Sequence, residues 1–147
     1  LQTFVPIQDY QIDYYKNKFL KYINPGFIKC VTDENDELVA FAITMPSFSN
    51  ALKKINGKVD FFGKLRLLHA KNFNHKGSLY LIGVRPDFQN KGVIAILFNE
   101  LQKFYNKFGI TEVETNPELI ENTAIQQLWK NYENNQHKNR ATFTKQI

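Results

Sequence analysis

The sequence predicts one mixed α/β domain, and three observations support this fold class. The chain has 147 residues, of which 43% are hydrophobic, which is enough for one sizeable core and too short for two comfortable domains. Segments with helical spacing alternate with short apolar segments typical of strands. The segment SLYLIGV at 78–84 is apolar on both faces, which indicates a central strand. The predicted order is helix, two strands, helical insertion, strand, helix, strand, helix, strand.

The first half of the chain predicts a helix, a hairpin and an insertion. In residues 9–23, apolar and aromatic side chains recur every three or four positions, so we predict an amphipathic helix that an Asn-Pro-Gly stretch ends. The segments FIKCVT at 27–32 and LVAFAITM at 38–45 flank the polar turn DENDE and predict a β-hairpin. Residues 47–77 hold two short helical patterns and a loop, and we predict that they form an insertion between two strands.

The second half of the chain predicts the remaining helices and strands. Apolar residues recur at helical spacing from Gly92 to Phe108, and Gly109 fits the helix end. The segment ITEVET at 110–115 predicts a strand that an Asn-Pro pair breaks. A further helix is indicated by the spacing of Ile125, Leu128, Trp129 and Tyr132. The segment RATFTKQ at 140–146 predicts a last strand.

Composition excludes several classes of protein. No apolar run approaches membrane-spanning length and no signal peptide is recognisable, so we expect a soluble, cytoplasmic protein without a membrane partner. The single cysteine, Cys30, fits a reducing compartment, and its apolar neighbours predict a small core residue. The three histidines lack ligand spacing, so no metal site is expected. The chain begins with Leu1 rather than Met, which leaves open that it is the C-terminal domain of a longer protein.

The charge suits an anionic ligand better than a nucleic acid. The formal net charge is +5 and the pI is about 9.2. Basic clusters such as KKINGK and HKNR exist, but acidic residues interleave with the basic ones and no dense basic helix is present. We therefore do not expect nucleic acid as a partner.

A strand-loop-helix at 78–108 contains the elements of an anion site. The first turn of a helix offers free N–H groups and the positive end of the helix dipole, where a pyrophosphate can bind. Gly92 would let a ligand approach the backbone closely, and Lys91 would add charge. Neither G-x-x-x-x-G-K nor G-x-G-x-x-G is present, which excludes the two commonest phosphate motifs. A plain strand-turn-helix is the alternative.

The segment VRPDFQNKGVIAILFNEL resembles the acetyl-CoA signature of the GNAT acyltransferase superfamily. The matching residues are Val84, Pro86, Phe88, Gln89 and Gly92. Ile94 stands where the family carries Gly or Ala, and Ala95 follows one position late. The hairpin at 27–45 is similar to the family's second and third strands. The segment after Phe108 follows the family's order too, with Asn122, Ala124 and Trp129-Lys130.

The resemblance implies a fold and a co-substrate. It implies a single domain over 1–147 with a mixed central sheet flanked by helices, in which 47–77 lies between the strands that match the family's third and fourth. It also implies acetyl-CoA, or another acyl-CoA, as co-substrate. The backbone of Ile82, Gly83 and Val84 would bind the pantetheine arm, with the Ile82 N–H donating to the thioester oxygen. The pyrophosphate would be held by Gln89, Asn90, Lys91, Gly92, Val93, Ile94 and Ala95.

The implied reaction is acetyl transfer by direct attack of an amine on the thioester, which needs a base and an acid. Glu112 and Glu114 share one face of their strand, and Glu114 is the stronger candidate base because the arm would pass near the strand's end. Trp129 stands where many members carry the tyrosine that protonates the thiolate, so Tyr132 becomes the first candidate acid and Tyr80 the second. Ordinary surface or core roles are the alternative for each.

The acceptor is implied only as a class. It would be a small-molecule or peptide amine, with Asn122 as a second contact to the arm, and a homodimer stays open. Two roles remain for the apolar side chains of the insertion, a packed lid or an acceptor pocket, and these side chains are Phe48, Phe61, Phe62, Leu65 and Leu68. The departures at Ile94 and Trp129 leave a catalytically silent CoA-binding module as the alternative function.

Overall fold

The computed structural model describes residues 6–18, 24–143 and 145 of the chain. In chain order the elements are α1 (Asp9–Lys18), β1 (Ile28–Thr32), β2 (Leu38–Pro46), α2 (Ser49–Ile55), α3 (Phe61–Asn72), β3 (Lys76–Val84), α4 (Val93–Phe108), β4 (Glu112–Thr115) and α5 (Thr123–Trp129). Short 3-10 turns at Pro25–Phe27 and Pro86–Phe88 precede β1 and α4. The chain divides into two compact units, Leu1–Glu114 and Thr115–Ile147, and a single domain stays a prediction.

The sheet has the order β1-β2-β3-β4 and is mixed, which confirms the predicted fold class. β2 pairs antiparallel with both β1 and β3. Ala40, Ala42 and Thr44 alternate along β2, and each is at most 1% exposed. Helix α4 packs against β1 and β2, so this face of the sheet forms the core.

Helix α4 forms because its sequence gives it one continuous apolar face. The buried side chains recur every fourth residue, which keeps them on one side of the helix, and they are Val93, Leu97, Leu101 and Tyr105. Gly92 (φ 78°) and Gly109 (φ 67°) flank the helix in the left-handed conformation, which favours glycine. The helix therefore begins and ends where the sequence predicts.

Two expectations from the sequence need correction. Cys30 is exposed, not a core residue. It pairs with Phe41 on the sheet face opposite to Ala40 and Ala42, and alternation along β1 therefore keeps Cys30 out of the core under α4. The predicted last strand is wrong for residues 140–143, which are irregular. Phe143 is 88% exposed, so its ring gains none of the burial that stabilises a strand. Thr144 and Gln146 lie outside the described residues.

The helix predicted over 9–23 is described as Asp9–Lys18, because residues 19–23 lie outside the described part of the chain. None of the side chains of α1 is buried. In the described part of the chain, no helix is long and apolar enough to cross a membrane, and no group of three potential ligand side chains could hold a metal ion.

Candidate functional site

The loop between β3 and α4 is fixed to the core on both sides. Val84 before it and Phe88 within it are partly buried and pack against the cluster of Val39, Ala40 and Val93. The Arg85 N–H donates to the Val39 C=O over 2.8 Å, which extends the pairing with β2 into the loop. The loop is therefore held in place by contacts of the protein itself.

The Arg85 side chain adds a polar anchor. Its Nε donates to Asp87 Oδ1 over 2.8 Å, and its second terminal nitrogen donates to Asp33 Oδ2 over 3.2 Å. The guanidinium also stacks on the Phe88 ring, with 4.5 Å between Cζ and the ring centroid. The hydrogen bond from Arg85 lowers the pKa of Asp87. The pKa of Asp33 is lowered first by the Asn35 N–H and further by Arg85.

The backbone of the loop presents a row of free donors. Asn90 (φ 60°) and Gly92 (φ 78°) both have left-handed conformations, which turn successive N–H groups outward. Within the described residues, the N–H groups of residues 90 to 94 donate no hydrogen bond. A Cβ at Gly92 would meet no atom within 4 Å, so the space above the glycine is open. These donors lie at the positive end of α4, which suits an anion.

The two ends of the predicted phosphate loop differ from its middle. The Gln89 N–H donates to the Pro86 C=O over 3.3 Å, and the Ala95 N–H donates to the Gly92 C=O over 3.0 Å. The Gln89 side-chain nitrogen lies 3.5 Å from the Val84 C=O, so this amide supports the loop. Lys91 Nζ lies 5.2 Å from the Phe88 ring centroid, at the same loop.

The register of β3 determines which backbone groups can receive an extended ligand. Because the Arg85 N–H bonds to Val39, the antiparallel pattern directs the N–H and C=O of Gly83 toward β2 as well. The same alternation directs the N–H and C=O of Ile82 and Val84 to the opposite edge of β3. Gly83 is needed for packing, since a Cβ there would lie 2.6 Å from Phe41 Cε1.

The edge that Ile82 and Val84 face is not covered by β4. The N–H groups of Thr111 and Glu112 both bond to the His75 C=O, so β4 begins beside the start of β3. β4 has four residues, or about 13 Å of strand, whereas β3 has nine. β4 therefore ends before it reaches Ile82, and the N–H of Ile82 lies at an edge where an extended ligand could pair.

A β-bulge lies in β3 just before this edge. Thr44 opposes Leu79 and Ile43 opposes Leu81, which makes Tyr80 the extra residue. Tyr80 is 39% exposed and Leu81 is 58% exposed. Because a bulge reverses which backbone groups face each neighbour, it gives Ile82 and Val84 their outward direction.

The two candidate bases differ in their surroundings. Glu112 is exposed and forms an ion pair with Lys76, which is the role of a surface charge. Glu114 is half-buried, one strand repeat further along β4 on the same face. Glu114 is therefore the less solvated of the two carboxylates.

Asn122 and Tyr132 belong to the second compact unit. Asn122 precedes α5, and its C=O accepts from the Gln126 N–H over 3.4 Å. Tyr132 follows α5 and is 45% exposed, with its ring centroid 6.3 Å from that of Trp129. The Trp129 indole N–H donates to Glu118 over 2.8 Å, so this side chain has a structural partner. The first unit brings together residues 82 to 95, and the second unit holds Asn122 and Tyr132.

The apolar side chains of the insertion do not form a packed lid within the first unit. Phe61 and Phe62 are each 70% exposed, Leu65 is 49% exposed and Leu68 is 56% exposed. Phe62 and Leu65 line an open groove between α2 and α3, whereas Phe48 lines a separate small cavity beside Phe27 and Phe108.

A family model covers the loop at the start of α4 and most of the rest of the chain. The family model described as "Acetyltransferase (GNAT) family" matches residues 2–132. The chain belongs to the GNAT acetyltransferase family. It is an N-acetyltransferase, and the predicted family is confirmed. No curated protein matches the chain.

Solved structures of GNAT enzymes share this fold at low sequence identity. The aminoglycoside 6'-N-acetyltransferase AAC(6')-Ig from Acinetobacter haemolyticus is 14% identical, with a TM-score of 0.59 over 97% of this chain and 85% of that one. AAC(6')-Iy in complex with a bisubstrate analogue is 15% identical, with a TM-score of 0.58 over 99% and 86%. A ribosomal-protein-alanine N-acetyltransferase from Brucella melitensis is 14% identical, with a TM-score of 0.52 over 89% and 80%.

The sequence did not predict the contacts that anchor the loop between β3 and α4. Arg85 occupies a variable position of the signature, and its partner Asp33 is 52 residues away, so no local pattern pairs them. The bulge at Tyr80 follows from the pairing register, which a strand pattern alone does not reveal. The polar turn DENDE was visible as a turn, and its position beside the loop is a result of the fold.

Proposed function

We propose that this GNAT enzyme transfers the acetyl group of acetyl-CoA to a small-molecule or peptide amine by direct attack of the amine. The observation that carries this proposal has two parts: a β3 edge at Ile82 and Val84 that β4 does not reach, and a loop whose N–H groups from residue 90 to 94 donate no hydrogen bond among the described residues. Among the structural neighbours, AAC(6')-Iy binds a bisubstrate analogue of CoA and acetylneamine, which supports a thioester donor and an amine acceptor.

The residues of the loop fit a pyrophosphate. The N–H groups of residues 90 to 94 would donate to its oxygens, and Lys91 would add a positive charge. Gly92 leaves open space for a close approach, as its missing Cβ has no neighbour. Ile94 would contribute through its backbone N–H, and its branched side chain is half-buried. Ala95 would support the loop, because its N–H already bonds to the Gly92 C=O. We assign Gln89 a supporting role, since its amide lies beside the Val84 C=O.

The residues of β3 fit an extended arm. The Ile82 and Val84 backbone groups would pair with the pantetheine amides, as a neighbouring strand would. The Ile82 N–H would donate to the thioester oxygen and stabilise the charge that develops there. Gly83 would contribute by letting Phe41 pack, and Asn122 would provide a further contact to the arm. Acetyl-CoA supplies the activated acetyl group.

Two side chains would move the protons. Glu114 would accept a proton from the acceptor nitrogen, so that the nitrogen attacks the acetyl carbon as a free amine. Tyr132 would donate its hydroxyl proton to the sulfur as the C–S bond breaks. The ammonium loses one proton to Glu114 before the attack and a second to the Tyr132 phenolate as the amide forms. The thiolate leaves as a thiol with the original Tyr132 proton, and Glu114 releases its proton to solvent, so one proton is released in each cycle.

The donor site is tested by thermal unfolding with and without acetyl-CoA. A ligand at about a hundred times its Kd adds about 2.7 kcal/mol, which should raise the Tm by roughly 5 to 10 °C. Gly92→Glu should abolish this shift, because its carboxylate would occupy the anion position. Gly109→Glu is the matched control, since Gly109 has the same left-handed conformation and open Cβ position at the other end of α4. A shift retained by Gly92→Glu would place the donor elsewhere.

The catalytic assignment is tested by acetyl transfer to a panel of amines that includes aminoglycosides and N-terminal peptides. Glu114→Gln and Tyr132→Phe should each lower kcat by about 10² to 10⁴ while the Kd of acetyl-CoA stays unchanged. Glu112→Gln should behave as wild type, because Glu112 is already paired with Lys76. Equal losses for Glu112→Gln and Glu114→Gln would contradict the choice of Glu114.

A further inference from the structure

A groove separates α2 from α3 in the insertion. Its volume is about 500 Å³, which is the size of a small-molecule site. Small side chains, Ala51 on α2 and Ala70 on α3, leave the space between the helices. Phe62, Leu65 and Phe73 provide apolar and aromatic walls, and these walls can accept an apolar ligand body.

The rim of the groove is cationic. Lys54 and Arg66 both line it, together with His69, and no acidic side chain is among its lining residues. Neither Lys54 nor Arg66 makes an ion pair within the part of the chain that the structure describes. Exposed apolar and aromatic side chains beside unpaired cations are complementary to an amphipathic anion.

The groove is fixed to the start of β3 and is separate from the acetyl-CoA edge. The Ser47 N–H donates to the Lys76 C=O over 2.8 Å, and the Lys76 N–H donates to the Asn74 side chain over 3.0 Å. Ser47 and Asn74 line the groove. Ile82 lies six residues further along β3, or about 20 Å at the usual strand rise. A small ligand in the groove therefore cannot contact the thioester.

We propose that the groove between α2 and α3 binds a small amphipathic carboxylate, with its apolar or aromatic body between Phe62, Leu65 and Phe73 and its carboxylate on Arg66 and Lys54. The aromatic pair of His69 and Phe73, whose ring centroids are 5.2 Å apart, offers a stacked wall for a flat ring. This binding is independent of acetyl transfer and requires no donor in the GNAT site.

The test is isothermal titration calorimetry with three probes that share a naphthylmethyl group and differ in charge. 1-Naphthaleneacetate should bind about tenfold more tightly than the neutral 1-naphthaleneacetamide, and 1-naphthylmethylamine should bind more weakly still. Lys54→Gln and Arg66→Gln should each weaken the carboxylate by roughly three- to tenfold. Lys64→Gln is the control, because Lys64 is an exposed cation of α3 outside the groove. Equal affinity for the three probes would overturn the proposal.

Two further arms exclude other occupants. Ala70→Trp should fill the groove and abolish binding. The test does not depend on the folding of this variant, because Lys54→Gln and Arg66→Gln change exposed side chains. Saturating CoA and Gly92→Glu should leave naphthaleneacetate binding unchanged. Competition by CoA would place the probe in the donor site and overturn the proposal. A dimer in sedimentation velocity that Arg66→Gln dissociates would instead identify a second copy as the occupant and would equally overturn it.

Discussion

The loop after β3 and the insertion between β2 and β3 are held in opposite ways. The loop has Phe88 packed against the core, Arg85 bonded to two carboxylates, and a backbone bond to β2. Helix α3 of the insertion buries only Gly63, and Phe61 and Phe62 are each 70% exposed. The loop is therefore held by contacts of the protein itself, which would lower the entropic cost of binding a ligand there. The insertion leaves apolar side chains exposed within the first unit.

The largest expected difference is in the contribution of each region to stability. Leu97 on α4 is 1% exposed, so Leu97→Ala should lower the free energy of unfolding by about 2 to 5 kcal/mol through a lost apolar contact and a cavity. Leu68 on α3 is 56% exposed, and Leu68→Ala should change it by less than about 0.5 kcal/mol. Urea denaturation of both variants measures this, and similar losses would show that α3 is packed as firmly as α4.

The next largest effect distinguishes the role of Gly83 in packing from a role in binding acetyl-CoA. Gly83→Ala should lower the free energy of unfolding by about 1 to 3 kcal/mol, because the new Cβ would displace the Phe41 ring. The Kd of acetyl-CoA should change little, since the Gly83 N–H and C=O face β2. Gly77→Ala is the control in the same strand, with its nearest atom 3.4 Å from the new Cβ. Loss of acetyl-CoA binding by Gly83→Ala at unchanged stability would instead place the arm on Gly83.

The strand-loop-helix at 78–108 could be predicted from the sequence because its signal is local. The segment from Val84 to Gly92 follows a strand and opens a helix with a regular apolar face, and all of this lies within one stretch of chain. The anchor of the loop could not be predicted, because Asp33 meets Arg85 only after β1, β2 and β3 pair. The exposure of Cys30 likewise depends on the register of β1 against β2.

The role of the apolar face of the insertion could not be predicted from the sequence, for a physical reason. The spacing of Phe61, Leu65 and Leu68 predicts one apolar face on α3, but the face is exposed in the first unit. An apolar pattern indicates that burial of these side chains is favourable. It does not identify the surface or ligand that buries them. The sequence leaves two roles open for these side chains, a packed lid or an acceptor pocket. Only the groove between α2 and α3 distinguishes the two.

A smaller effect on stability is expected from the N-terminal cap of α3, and it should be confined to the insertion. The Asp60 side chain caps α3 by accepting from the Gly63 N–H over 2.7 Å. Asp60→Ala should destabilise α3 by about 1 kcal/mol, whereas Asp60→Asn should retain the cap. Hydrogen exchange should show faster exchange of the α3 amides in Asp60→Ala, with the acetyl-CoA shift in Tm unchanged. Faster exchange that spreads to the loop at 85–92 would mean that the two regions are coupled.

The smallest effect concerns the charges that anchor the loop. The pKa of Asp87 is lowered first by the hydrogen bond from Arg85, whereas the pKa of Asp33 is lowered first by the Asn35 N–H. A carboxylate with a lowered folded-state pKa contributes stability that is fully present above its ordinary pKa and is lost as the pH falls through the folded value. The contribution of both groups should therefore be constant from pH 6 to 8 and decline below about pH 4.

Arg85→Gln distinguishes the two carboxylates. The pKa of Asp87 should rise toward its ordinary value in this variant, and the pKa of Asp33 should rise less, because the Asn35 N–H still bonds to it. Carboxyl NMR titration from pH 2 to 6 measures both, with Arg66→Gln as a control cation outside this network. A larger rise for Asp33 would mean that Arg85 stabilises chiefly the β1–β2 turn. The loop would then be anchored to the sheet by Phe88 and the Arg85 backbone alone, and its charge network would be a surface feature.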